Sequence, residues 1–526
     1  MSAIDSGWKP RHNPWLIALT VTIATFMEVL DTSIANVALP HIAGSVGASQ
    51  DEATWVLTSY LVSSAVILPI SGWLSDRFGR KRFYMTCVAL FTGCSLLCGL
   101  APSLTTLIIA RILQGLGGGG LAPSEQAILA DTFPSEKRGQ AFALYGMAVV
   151  IAPAIGPTLG GWITDNYNWH WIFFINIPIG LISLYLSNRM VEDPPEIHAR
   201  MQRRLPVDFI GLGAVALGVG LLEFTLDKGQ QKDWFGSGQI QLTAMLAVAL
   251  LIFFAIWEWR HPDPIVDLKL LKNRNFGTAV FLQLILGMVL FGSTVLIPQF
   301  LQTLLGYTAE RAGMVLSPAG FVMMIGMAIA GRTLGKGDPR LMVMLGYIAV
   351  AAGLFNLTRL DLYTSYGTVT LWRALQVVGL PFIFIPISTL NYVGVPREKS
   401  NQISSLSNFA RNLGGSAGTA LLTTFLARSA QVHQTMLAGN LDAGSYGVSH
   451  YISTFASALH LSPSAARPIA LAQIYRQLIA QSTMLAYRSA FALLALTVLL
   501  LSPLVWIMRL PPKRSAVPDP EQMAAH

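Results

Sequence analysis

The chain has 526 residues, of which 53% are hydrophobic and 12% charged, with a net charge of +8; soluble domains carry about 25% charged residues, so a soluble globular protein is excluded. The apolar content excludes disorder, and the lack of a glycine period excludes a collagen-like fibre. Cys87, Cys94 and Cys98 fall in one apolar stretch, which suits neither a zinc site nor a disulfide framework, so no metal centre is expected.

A helix needs about 20 mostly apolar residues to cross a bilayer. Fourteen stretches qualify: 15–39, 53–74, 83–101, 105–129, 139–163, 168–188, 207–226, 239–258, 276–300, 312–331, 341–358, 366–390, 402–427 and 483–508. Span 1 holds Glu28 and Asp31, three residues apart and therefore near one helix face. Two acids do not stay ionised together in a low dielectric, so one is expected to hold a proton, with Asp31 the leading carrier. Asp31 could instead be a constant partner of Arg111 in span 4. The segment Gly72-Trp-Leu-Ser-Asp76-Arg77-Phe-Gly79-Arg80-Lys81-Arg82 joins spans 2 and 3. Its glycines permit a tight turn and close helix approach, and Asp76 can receive a helix N-terminus or an arginine, so Gly72, Asp76, Arg77, Gly79 and Arg80 are expected to form a gate.

In span 4, Arg111 costs at least about 2.5–3.5 kcal/mol at the bilayer centre, which requires a partner or a polar cavity. Gly115 to Gly120 match a nucleotide-binding pattern, but no strand precedes them, so helix packing is expected. Span 5 contains Gly156, Pro157, Gly160 and Gly161, which would kink the helix and form a close contact between halves. The polar intramembrane residues Gln114, Glu125, Glu223, Asn408, Arg411 and Asn412 are expected to line a substrate cavity. Gly414 to Gly418 match a serine-nucleophile pattern inside span 13, without the strand-to-helix elbow that chemistry needs. The polar stretch 428–482 is expected to be a water-exposed outer loop.

Of the 35 lysines and arginines, 24 fall on one side of the spans, eight on the other and three within, which predicts that both termini are cytoplasmic. The basic balance therefore reports orientation, and nucleic acid binding is not expected. At an offset of 262, Arg111, Gln114 and Gly117 recur as Arg373, Gln376 and Gly379, and Pro134, Glu136, Lys137 and Gln140 as Pro396, Glu398, Lys399 and Gln402. This duplication maps spans 4 and 5 onto 12 and 13, a parallel repeat whose halves rock about a site near the midplane. The expected division is a cytoplasmic N-terminus 1–14, a six-helix bundle 15–188, a linker with two inserted helices 189–275, a second bundle 276–508 and a cytoplasmic tail 509–526.

Together with Leu30 to Pro40, Asn168 to Gly180, Leu226 to Phe235 and Ser407 to Gly415, these motifs resemble the fourteen-span drug/proton antiporters of the major facilitator superfamily, and within them the EmrB-like branch. The resemblance implies an all-α polytopic major facilitator fold of 14 transmembrane helices arranged as 6 + 2 + 6. It implies export of hydrophobic or amphipathic toxic compounds across a bacterial inner membrane in exchange for protons, with no other cofactor. It also implies a periplasmic adaptor and an outer-membrane channel as partners, besides membrane lipids. Asp31 matches the family's span 1 acid and Arg111 its span 4 arginine; the roles of Glu28 and Glu125 rest on placement alone. Proton-coupled uptake or export of a specific metabolite, fatty acid or siderophore is the competing reading. A membrane enzyme or sensor is weakened by the lack of a catalytic constellation.

Overall fold

A computed structural model describes residues 10–195, 197, 207–334, 337–439, 441, 446–460 and 462–510. The predicted cytoplasmic segments therefore lie outside the described residues over 1–9, 198–206 and 511–526. The long helices are α1 Pro14–Val46, α2 Trp55–Phe78, α3 Arg80–Gly99, α4 Leu104–Thr132, α5 Arg138–Asn166, α6 Trp171–Met190 and α7 Phe209–Lys228. They continue as α8 Gly238–Arg260, α9 Arg274–Thr303, α10 Ala309–Thr333, α11 Pro339–Leu357, α12 Tyr366–Leu390, α13 Ser400–Ala438 and α14 Pro463–Leu501. No strand occurs among the described residues.

The helices overrun the apolar stretches because polar caps set their ends. Asn13 accepts from the Trp15 amide ahead of Pro14, and Gly47 closes α1 at φ +65°. Gly79 makes the α2–α3 turn at φ +90°, a conformation that favours glycine. The glycine run divides α4 into Leu104–Gly118 and Leu121–Thr132. A Cβ on Gly117 would lie 2.8 Å from the Phe91 amide nitrogen, and one on Gly120 2.5 Å from Cys87 Sγ. Close packing against α3 accounts for these glycines, as expected for a helix interface.

Helices α1 to α6 pack mainly on one another, as do α9 to α14. The two groups meet where α2 packs on α13 and where α5 packs on α10. A shift of eight helices converts α2 into α10 and α5 into α13, so these interfaces are images of each other under the duplication. The inserted α7 lies against both α2 and α13, with α8 outside it exposing Leu242, Met245, Val248, Ile252 and Ile256. Apolar exposure of this kind suits contact with lipid rather than water.

Among the described residues, thirteen helices are long and apolar enough to cross a membrane. Predicted span 13 corresponds to α13, whose polar face is covered by α2, α4, α9 and α14, so its composition need not satisfy lipid.

Stretch 428–482 differs from the expected loop. Helix α13 runs on to Ala438, a short helix covers Tyr446–Ala458, and α14 starts at Pro463 behind the Ser462 cap. The alanine- and glutamine-rich sequence has high helix propensity, and burial of Val448, Ala456, Ala466 and Ala470 packs the hairpin together.

Candidate functional site

Four helices converge on Arg111, which is fully buried in α4. Its Nη1 donates to Asp31 Oδ2 of α1 at 2.6 Å and to Gln114 Oε1 at 2.8 Å, and its Nε donates to the Val56 carbonyl of α2 at 3.1 Å. The guanidinium lies 4.3 Å from the Tyr60 ring centre and 5.6 Å from that of Phe173. Asp31 Oδ1 accepts from Asn176 Nδ2 of α6 at 2.7 Å and from Gln114 Nε2 at 3.2 Å. Both oxygens of Asp31 are therefore engaged, one by a permanent cation.

The neighbouring acids are held differently. Glu28, half-buried, accepts from the Tyr60 hydroxyl at 3.3 Å. Glu125, fully buried after the break in α4, accepts from Thr22 Oγ1 at 2.6 Å through Oε1, while Oε2 is buried without a hydrogen bond. Glu28 lies within electrostatic reach of Asp31, Glu125 and Arg411. Arg411, on α13, donates to the Tyr145 hydroxyl of α5 at 3.0 Å and to Asn408, with Phe384 5.2 Å beneath its guanidinium. Asn408 Nδ2 in turn donates to Gln126 Oε1 of α4 at 2.8 Å, so this polar set spans the two six-helix groups. Asn412 is half-buried on the same helix. Glu223, on α7, lies apart from this cluster and accepts from the Ser416 hydroxyl, so Ser416 serves as a helix-packing contact.

The end of the molecule that carries the Gly72–Arg82 turn, here called the basic end, is closed by α13. Asn401 Nδ2 donates to Asp76 Oδ1 at 2.6 Å, and Arg80 Nε donates to Asn401 Oδ1 at 2.7 Å. Arg80 Nη1 also pairs with Asp131 Oδ2 at 2.6 Å, and Ser400 donates to the other oxygen of Asp131 at 3.1 Å. Ser405 Oγ reaches the Leu68 and Pro69 carbonyls at 2.5 and 2.9 Å. Arg77 stacks on Trp73 at 5.6 Å. Asn401 and Asp131 escaped the sequence reading; the one signal was the unusually polar run Ser400 to Asn408 at the head of an intramembrane segment.

Gly72 shows why the turn begins with glycine. A Cβ there would lie 2.9 Å from the Asn401 carbonyl oxygen and 3.0 Å from Gln402 Cα, both backbone atoms that cannot swing aside. Gly72→Val is expected to force α2 and α13 apart at the basic end while leaving helix content unchanged. Thiol labelling of a cysteine placed beside Glu125 should accelerate several-fold from that end; an unchanged rate would show that the contact is not a closure.

On α5, Gly156 and Gly160 meet Ser33 and Ile34 of α1, whereas Pro157 touches Gly313 of α10 at 3.4 Å from a Cβ built there. Gly161 faces open space. Helix α5 is thus a spacer between α1 and the second group.

A family model described as Major Facilitator Superfamily matches residues 21–419. The Multidrug export protein EmrB of Haemophilus influenzae is 40% identical over 430 residues, covering 81% of this chain and 83% of that protein. The Fatty acid resistance protein FarB of Neisseria gonorrhoeae is 39% identical over 427 residues, 81% of this chain and 83% of that one. Among solved structures, the proton:xylose symporter XylE has a similar fold, with TM-score 0.58 at 15% identity over 92% of this chain and 94% of that one.

Proposed function

Because the chain belongs to the Major Facilitator Superfamily, and within it to the EmrB-type multidrug exporters, we propose that it is a drug/proton antiporter in which Glu28 and Glu125 carry the coupling proton. The observation that carries this reading is the contrast between three neighbouring carboxylates. Asp31 is bound to Arg111, whereas Glu28 and Glu125 have no ion-pair partner among the described residues, and Glu28 lies within electrostatic reach of both Glu125 and Arg411 of the opposite group. A carboxylate already tied to a buried guanidinium gives little by taking up a proton, because protonation would leave the arginine uncompensated. The carrier expected from sequence, Asp31, thus becomes the anchor that fixes α1 beside α4.

The basic end faces the cytoplasm in this reading, consistent with the lysine and arginine count. In this reading the contacts of Asn401, Asp76 and Arg80 shut the protein toward the cytoplasm, and rocking must break those hydrogen bonds. One proton at a driving force of roughly 150 mV supplies about 3.5 kcal/mol, enough for a gradient of about a few hundred-fold in a neutral cargo. Arg411 favours amphipathic acids among the cargoes, in line with the fatty acid resistance named for the Neisseria relative. The test is drug accumulation by proteoliposomes under an imposed pH gradient, with the gradient reversed as control. Transport indifferent to the gradient would overturn proton coupling.

The helical hairpin supports a further part of the reading, docking of a periplasmic adaptor that passes cargo to an outer-membrane channel. Helices α13 and α14 have 39 residues each, or about 58 Å at 1.5 Å per residue, against about 30 Å of hydrocarbon. The surplus projects beyond the bilayer and exposes Met436, Tyr446 and Tyr475. Replacing residues 435–470 with a Gly/Ser turn should leave transport in liposomes intact but abolish resistance in cells and co-purification with the adaptor. Undiminished cellular resistance would exclude the docking role.

A further inference from the structure

The duplication reaches further than the motifs that reveal it. At the same offset of 262, Asp31 corresponds to Ser293, just as Arg111 and Gln114 correspond to Arg373 and Gln376. The structure preserves the arrangement: Arg373 Nη1 donates to Ser293 Oγ at 2.9 Å and to Gln376 Oε1, and Gln376 Nε2 reaches Ser293 Oγ at 3.4 Å. Nη2 donates to Thr294 Oγ1 at 2.9 Å. The second half therefore keeps the arginine and the glutamine but has lost the acid.

Three features offset the burial of Arg111, and Arg373 lacks the two that matter most for charge. No carboxylate lies within ion-pair distance of Arg373 among the described residues, and no aromatic ring lies beneath its guanidinium. The positions of Tyr60 and Asp31 are taken by Val322 and Ser293. Hydroxyl acceptors remain, yet Ser293 and Thr294 already donate their protons to the Val289 and Leu290 carbonyls, so they offer only neutral oxygen dipoles. Arg373 is 5% exposed, and its Nε–H is buried with no acceptor among the described residues. A guanidinium so enclosed cannot lose its charge, and a missing donor partner adds to the penalty. Serine also presents a single neutral oxygen where aspartate in the first half presents two charged ones.

We propose that the Arg373 site binds a small monoanion, which takes the place of the carboxylate missing from position 293. The ligand accepts from the unpartnered Nε–H of Arg373 and neutralises the guanidinium as Asp31 does for Arg111. Chloride and the carboxylate of a cargo molecule share this chemistry. The site is separate from the Glu28–Glu125–Arg411 cluster and carries no coupling proton.

The duplication supplies the control. Thermal unfolding of the purified full-length protein is measured in chloride, in gluconate and in gluconate with decanoate, at fixed pH and ionic strength. A saturable rise of the midpoint in chloride is expected, and a rise with decanoate alone would identify the ligand as the carboxylate of a cargo. Ser293→Asp restores the acid of the first half and should raise the midpoint in gluconate while abolishing the anion response. Arg373→Gln should abolish the response as well. Should Ser293→Asp fail to fold, chloride-35 NMR line broadening on the unmodified protein, displaced by bromide and absent in Arg373→Gln, reads the same site. A midpoint identical in all three media, or an anion response that survives Ser293→Asp or Arg373→Gln, would overturn the proposal.

Discussion

Arg111→Gln is expected to destabilise the folded protein by about 3–5 kcal/mol, because it removes one partner of a buried ion pair and leaves the other charged. Asp31 would retain only the Gln114 and Asn176 amides as donors, in a site that is 0–2% exposed. The loss should appear as a lower unfolding temperature in detergent and as aggregation on size-exclusion chromatography. Combining Asp31→Asn with Arg111→Gln should recover much of the stability, since two neutral amides can hydrogen-bond where a lone charge cannot be solvated. A double-mutant cycle reports this directly: strong coupling supports the anchor, whereas additive effects of the two substitutions would mean that they do not act as a pair.

Substituting both Glu28 and Glu125 with glutamine should abolish transport driven by a pH gradient while ligand binding persists. Glutamine keeps the size and most of the hydrogen bonds, including acceptance from Thr22 and Tyr60, so the fold is expected to hold. What it removes is exchange of a proton with solvent. Each single substitution should reduce gradient-driven flux by at least about tenfold if both acids act in sequence, and only one should do so if a single acid carries the proton. Drug binding measured by fluorescence quenching separates a lost cavity from a lost coupling. Full gradient-driven flux in the double variant would return the role to Asp31.

Much of this was legible in the sequence. Each of the fourteen predicted spans corresponds to a helix, because apolar runs of bilayer length leave little ambiguity. The ends were less legible, since Asn13, Ser365 and Ser462 are ordinary polar residues until a backbone amide is seen to use them. The turn at Gly72 to Arg82 stood out by its charges, but its partner Asn401 did not, because a lone asparagine carries no signal of what it will face. The pairing of Asp31 with Arg111 was one of two readings; spacing along a chain cannot show which of two acids on one helix face turns toward a third helix. The helical arms of the hairpin at 428–482 were not legible, because polarity indicates exposure to water without indicating the loss of helix.

The polarity of α13 also constrains how the protein is made. Ser400, Asn401, Gln402, Ser404, Ser405, Ser407 and Asn408 are all buried, against protein rather than lipid. A nascent segment of this composition partitions poorly from a translocation channel into lipid by itself. Its hydrogen-bonding neighbours on α2, α3 and α4 were synthesised some 270 to 340 residues earlier, so they already stand in the membrane as a polar template. Helix α13 thus enters the bilayer as the last piece of an existing interface, and the second half made without the first would leave that helix with no surface to receive it.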